Sequence, residues 1–228
     1  MQKNNLKKHS FINNLYRKNL IFFILLFCIF LLLTSFVKND SLLSWDIYVS
    51  SAFQKYEHSV LENLMKGLSW LGYSPIAFLL ICLTSLVFFI IKRKREAYLI
   101  LSTILTGGIS WVLKMLIDRP RPGTDFVRIV QETHFQSFPS GHVLFYTVYF
   151  GLLSVIIGYN KALNQTKKRV FISLMVLMLI LGAMSRIYLG AHWFTDVMGG
   201  FIVGLQFIIV ATTLYLKKDV KIETGSSY

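Results

Sequence analysis

Six stretches of the chain are apolar around their whole circumference rather than along one face: residues 20–37, 75–91, 97–117, 143–159, 170–185 and 197–216. Each reaches or nearly reaches the roughly 20 residues that carry a helix across the hydrocarbon of a bilayer, where about 17–25 suffice. Backbone in lipid has no water to bond, so its N–H and C=O groups must satisfy one another, and these runs are therefore helices. Ser74-Pro75 opens the second with a capping residue followed by proline at the first helical position. The connection 38–74 reads differently. Val60, Leu61, Leu64, Met65, Leu68 and Leu71 recur at helical spacing on one face, which predicts an amphipathic helix lying on the outer leaflet. The pattern thus describes an all-α polytopic membrane protein of six transmembrane helices, with an interfacial helical segment between the first and second. Its expected organisation is a basic tail over 1–19, one six-helix domain over 20–216 and a second tail over 217–228.

Composition agrees with this and adds an orientation. Of 228 residues 54% are apolar and only 15% charged, yet the net charge is +13. Soluble domains carry about 25% charged residues. The basic residues are distributed unevenly between the two sets of connections. Lys3, Lys7, Lys8, Arg17, Lys18, Lys92, Arg93, Lys94, Arg95, Lys161, Lys167, Lys168, Arg169, Lys217, Lys218 and Lys221 fall on one side. Lys38, Lys55, Lys66, Lys114, Arg119, Arg121, Arg128 and Arg186 fall on the other, where eight acidic residues balance them. By the positive-inside rule both termini are cytoplasmic, and the whole excess charge is a topology signal. A nucleic-acid binder, which needs its basic residues on a soluble face, is excluded by the spans. The first apolar run is longer than a signal peptide's and no small-residue cleavage site follows it, so it reads as a retained span. Cys28 and Cys82 sit inside apolar runs and read as buried thiols.

The candidate chemistry lies in the outer connections, where ionisable groups beside membrane spans tend to mark function. Lys114 and Arg121-Pro122 end the third span, Pro139-Ser140-Gly141-His142 opens the fourth, and Ser185-Arg186, His192 and Asp196 lie between the fifth and sixth. Lys114, Arg121 and Arg186 bring three cations to one rim, and guanidinium forks suit phosphate oxygens. A helix beginning near Ser140 leaves the N–H groups of Ser140, Gly141 and His142 at its positive end, ready for an anion. His192 and Asp196, four residues apart, share a helix face if the sixth helix begins a turn early. The carboxylate then fixes the tautomer and leaves the other imidazole nitrogen free to attack, and His142 can protonate a leaving oxygen. A metal held by His142, His192 and Asp196 would be opposed by the neighbouring cations. Arg119 and Arg128 read either as holders of a second phosphate or as solvated loop charges. Gly200 and Gly204 read as a helix-packing pair.

Lys114-x6-Arg121-Pro122, Pro139-Ser140-Gly141-His142 and Ser185-Arg186-x5-His192-x3-Asp196 together resemble the three-part signature of the type 2 phosphatidic acid phosphatase (PAP2) superfamily, every fixed position matching in order. The resemblance implies a lipid phosphate phosphatase working without metal or cofactor. In it His192 forms a phosphohistidine, Asp196 orients His192, and His142 protonates the departing oxygen. Lys114, Arg121, Ser140, Gly141 and Arg186 hold the phosphoryl oxygens. The expected partners are the bilayer and a lipid phosphate at the outer leaflet, with no nucleic acid and no obligate protein. Undecaprenyl pyrophosphate is the expected substrate, favoured by Arg119 and Arg128. Phosphatidylglycerol phosphate, phosphatidate and diacylglycerol pyrophosphate are the alternatives. A non-catalytic lipid-binding or transport protein is the reading from another class, and it would tolerate changes in the motifs where none occurs.

Overall fold

The structure, a computed structural model, describes the backbone of residues 2–224 and the side chains of Asn14 and residues 16–216. The side chains of Lys3, Lys7, Lys8, Lys217, Lys218 and Lys221, part of the charge asymmetry, lie outside the described residues. Among the described residues every regular element is helical: α1 Gln2–Lys38, α2 Leu43–Gln54, α3 Ser59–Trp70, α4 Ser74–Ile90, α5 Lys94–Leu101, α6 Leu105–Ile117, α7 Gly141–Tyr159, α8 Gln165–Tyr188 and α9 Phe194–Thr224. A single 3-10 turn over Ser102–Ile104 joins α5 to α6.

Among the described residues, five segments are long and apolar enough to cross a membrane: Tyr16–Lys38, Lys94–Ile117, Gly141–Tyr159, Gln165–Tyr188 and Phe194–Leu216. The remaining expected span, the second, is α4, whose 17 residues stand at the short end of the spanning range. It continues from α3 across a bend of 58°. Large apolar side chains such as Leu25, Leu32, Leu83, Val87, Leu177 and Leu214 cover the outside of these helices, a surface that suits lipid and not water.

The hub is α7, packed against α6, α8 and α9. It buries Val143, Leu144, Tyr146, Val148 and Leu152 almost completely. Gly200 lets α9 close on its start: a Cβ there would stand 2.6 Å from the carbonyl oxygen of Ser140. That approach, a small-residue contact of the kind expected of this pair, sets the beginning of α9 against the beginning of α7.

The connection 38–74 forms two helices instead of one, and both rest on the protein. In α2 the residues turned inward are polar, with Asp46, Ser50 and Gln54 buried, while Trp45 and Tyr48 are exposed. Gln54 donates from Nε2 to the carbonyls of Arg128 (2.7 Å) and Tyr188 (3.0 Å), tying α2 to the end of α8. In α3 the apolar face is divided: Leu61, Met65 and Leu68 pack on Tyr188 and Leu189, while Val60 and Leu64 face outward. The reason is that the carbonyls of Arg128 and Tyr188 at the end of the bundle need donors, which Gln54 of α2 supplies, while α3 covers Tyr188 and Leu189 with apolar side chains.

Candidate active site

The connections that follow α1, α6 and α8 meet at one end of the bundle. Helix α6 stops because Asp118 takes the left-handed conformation (φ 52°) and its N–H returns to the carbonyl of Lys114 at 2.9 Å. The chain then turns through Arg119 and Arg121 into an irregular stretch that ends at Pro139, and α7 starts at once. Ser140 sits at the N-cap of α7 with extended backbone angles, and its N–H donates to the carbonyl of Asp196 at 3.0 Å. That bond corrects one expectation: the Ser140 amide is occupied, and the amides offered by the first turn of α7 are those of Gly141 and His142, which have no intrahelical acceptor.

His192 lies in the short turn between α8 and α9 and is 2% exposed. Its Nδ1 is 3.3 Å from Oδ2 of Asp196 and 3.4 Å from Oγ of Ser137. Asp196, in the first turn of α9, accepts from the Trp193 N–H at 2.9 Å, a reach back to the residue before the helix that fixes the carboxylate in place. The Ser137 hydroxyl donates to the same Oδ2. The Arg119 guanidinium donates to Oδ1 at 2.6 Å. On the other side of the imidazole, Nε2 is 3.4 Å from Nη1 of Arg121. Arg121 is itself anchored by bonds to the carbonyls of Phe135 (2.8 Å) and Ala191 (2.6 Å). The geometry therefore gives His192 one nitrogen turned to a carboxylate and one turned to a cation.

These groups border a cavity of about 810 Å³ lined at its polar end by Lys114, Arg121, Gly141, His142 and His192. Ala77, Phe78, Ile81, Ile104 and Phe145 carry it down between α4, α5–α6 and α7. Lys114 bonds the carbonyl of Ser137 at 3.1 Å and that of Gln136. The ring of His142 meets Tyr146 edge-on with centroids 6.3 Å apart. Two expected phosphate holders, Ser140 and Arg186, do not line the cavity but are wholly buried beside it. Arg186 is gripped by Ser69 of α3 and by Gln131 (2.9 Å). Its Nε and the Ser140 Oγ are buried without a hydrogen-bond partner, and orphaned buried polar atoms of this kind need an explanation. Both are donors left without an acceptor among the described residues.

Burial, together with the charges of Arg121, Lys114 and Arg186, holds the His192 imidazole well below the usual histidine range. His192 is therefore neutral, and its unprotonated nitrogen is available at neutral pH. Burial also lowers Arg121, with Asp196 opposing the shift. For Arg119 burial acts downward, but Asp196 and Asp46 outweigh it and raise the group above its ordinary value.

Arg119 and Arg128 are not at the cavity. Arg119 is 4% exposed and spans Asp196 and Asp46, with Nη2 2.7 Å from Oδ2 of Asp46. Arg128 pairs with Glu62 at 3.2 Å and Glu57 at 3.5 Å and lies over the Tyr188 ring. Both are engaged by protein carboxylates, so neither serves as a second phosphate holder or stands as a plain solvated charge. Sequence reasoning passed over Asp46, Ser137, Ser69, Gln131 and Gly72. Of these, Asp46 carried a signal: Asp46, Ser50 and Gln54 make a polar stripe at four-residue spacing on a helix whose other positions are mostly apolar.

An imidazole oriented by a buried carboxylate, beside a group of cations at one end of a helical bundle with an apolar exterior, is an arrangement suited to binding and transferring a phosphoryl group. Known proteins agree. The model of the PAP2 superfamily matches residues 95–219. Phosphatidylglycerophosphatase B of Bacillus subtilis is 33% identical over 182 residues, covering 79% of this chain and 88% of that protein. The lipid A 1-phosphatase of Rhizobium johnstonii is 24% identical over 211 residues, covering 83% of this chain and 80% of that one. The crystal structure of a transmembrane PAP2-type phosphatidylglycerolphosphate phosphatase from Bacillus subtilis superposes with a TM-score of 0.77 at 26% identity, covering 86% of this chain and 96% of that chain. The chain belongs to the PAP2 superfamily and is a multi-pass membrane enzyme that removes phosphate by hydrolysis.

Proposed function

We propose that this enzyme removes the terminal phosphate of a membrane lipid by way of a phosphohistidine on His192. The observation that carries the proposal is the pairing of the two imidazole nitrogens, Nδ1 toward Asp196 and Nε2 toward Arg121 at the cavity. Nε2 attacks phosphorus, and the N–P bond forms as the bond from phosphorus to the lipid oxygen breaks. His142 gives its proton to that oxygen. A water molecule then attacks phosphorus, its proton passing to His142, the N–P bond breaks, and inorganic phosphate leaves. Lys114, Arg121, Arg186, the Ser140 hydroxyl and the Gly141 amide hold the phosphoryl oxygens through both steps. Phosphoryl transfer depends chiefly on such positioning and charge stabilisation. The three cations fill the electrostatic role a divalent ion would otherwise take, so we infer that no metal and no cofactor is required, and no obligate protein partner.

The cavity supports a lipid substrate, since it runs from the cations to side chains such as Phe78 and Trp111 that are half or more exposed on the lipid-facing surface. With Arg119 and Arg128 engaged elsewhere, one phosphate group is what the site grips. Phosphatidylglycerol phosphate and undecaprenyl pyrophosphate both present such a terminal group. The name of the Bacillus subtilis relative favours the first. The charge asymmetry supports cytoplasmic termini and an active site on the extracytoplasmic face. The test is phosphate release by purified enzyme in detergent with EDTA present, from phosphatidylglycerol phosphate, undecaprenyl pyrophosphate, phosphatidate and diacylglycerol pyrophosphate. Fastest turnover of phosphatidylglycerol phosphate supports the proposal, and loss of all turnover on chelation contradicts it.

A further inference from the structure

Asp46 lies 150 residues from Asp196 in the chain, yet one guanidinium joins them. Arg119 directs Nη2 to Asp46 at 2.7 Å and Nη1 to Asp196 at 2.6 Å, with all three side chains 4% exposed or less. Asp46 is satisfied on its other positions by α9 itself. The Thr195 N–H donates to Oδ1 at 2.8 Å and the Thr195 hydroxyl to Oδ2 at 2.7 Å. A carboxylate from α2 therefore caps the first turn of α9, which carries the partner of His192. The indole of Trp193 covers the guanidinium, 5.9 Å from ring centroid to Cζ. Buried charges at this density are sustained only when each is paired, and here the pairs run in series from Asp46 through Arg119 and Asp196 to His192.

We propose that Asp46 and Arg119 are positioning residues that set how strongly Asp196 holds the His192 imidazole, so that α2, an element remote from the phosphate, tunes the nucleophile. The inference rests on His192 being that nucleophile. Asp196 divides its charge between Arg119 at Oδ1 and the imidazole at Oδ2. Asp46 draws on the same guanidinium from the far side and so leaves more of Asp196 for His192. The other charged or titratable groups facing His192 are Lys114 from α6, Arg121 from the following loop, His142 from α7 and Arg186 from α8. None of these bonds to Asp46 or to Arg119.

The pairing in series makes a signed prediction that packing alone does not. Asp46→Asn removes a negative charge and lets Arg119 claim Asp196, so the acid limb of the kcat/KM profile moves to lower pH. Arg119→Met removes a positive charge and moves the same limb to higher pH, each by about half a unit or more. The double variant returns the limb toward that of the unmodified enzyme. Arg119→Met alone leaves two buried carboxylates facing each other. If it fails to fold, Asp46→Asn against the double variant decides the matter. Opposite shifts that cancel support the proposal. Limbs that stay in place, or move in the same direction, overturn it. An unmodified enzyme with no phosphatase activity, or with activity that survives His192→Ala, would instead count against His192 as nucleophile.

Discussion

Nη1 of Arg121 stands 3.4 Å from Nε2 of His192, so the nitrogen proposed to attack phosphorus is the one that faces a fixed cation. This proximity means that a proton on Nε2 would compete with Arg121, and that a phosphoryl oxygen entering the cavity meets both groups at once.

The first consequence concerns pH. Burial and the charges of Arg121, Lys114 and Arg186 depress His192 below the ordinary value of about 6.5. The attacking form is the neutral one, so kcat/KM should stay level as the pH falls from 7 through 6.5 and decline only at lower pH. The folding linkage has the same sign. Stability associated with neutral His192 is present above about 6.5 and is lost as the pH falls toward the depressed value. A pH–rate profile checks this, and an acid limb at 6.5 or above contradicts it.

Arg121→Met should lower kcat/KM by about 10²–10³-fold, the usual cost of removing one donor aimed at transition-state charge. It should also move the acid limb upward, because one of the cations depressing His192 is gone. Kinetics on the variant over a pH series measure both effects together. A change in KM alone, with kcat and the limb preserved, would remove Arg121 from the reacting group.

Ser137→Ala deletes the hydroxyl that donates to Asp196 and lies 3.4 Å from Nδ1 of His192. Hydrogen bonds to charged groups are worth about 1.5–3 kcal/mol, so kcat should fall roughly 10- to 100-fold with KM little changed. Steady-state kinetics at saturating lipid in mixed micelles decide it. An unaltered kcat would make Ser137 a bystander.

Gly72, in the bend between α3 and α4, offers a steric test. A Cβ at that position would lie 2.6 Å from both Cδ2 of His142 and the hydroxyl of Tyr146. Tyr146 is pinned by its bond to the Leu68 carbonyl at 2.7 Å, so His142 must give way. Gly72→Ala should cost about 1–3 kcal/mol of stability through overpacking and should depress kcat. A melting curve beside an activity assay checks both, and full activity with an unchanged Tm would show that His142 is free to move.

The spans were legible because lipid imposes one solution on a long apolar run, and the interruptions at 92–93 and 160–164 are too polar to be anything but turns. His192 and Asp196 were legible for a local reason, since four-residue spacing at a helix start leaves little freedom. What was hidden depends on pairing between segments distant in sequence. Asp46 and Arg119 each look like surface charges until α2 is seen lying polar side inward. Ser137 lies in an irregular stretch with no periodicity, and only the fold brings its hydroxyl to Asp196. Arg186 stood out in the sequence as a cation beside a span, but its grip by Ser69 and Gln131 depends on α3 packing against α8.

The central claim is the covalent step at His192, and trapping it is the most direct test. The enzyme is mixed with 32P-labelled phosphatidylglycerol phosphate, or with labelled undecaprenyl pyrophosphate if that is the faster substrate, and quenched in alkali within one turnover. Peptide mapping then locates the label. The mechanism predicts acid-labile, alkali-stable label on the peptide containing His192, absent from His192→Ala and accumulating when His142 is replaced by alanine and a substrate with a good leaving group is used. Turnover with no label on the protein at any time, or label on a different residue, would contradict it.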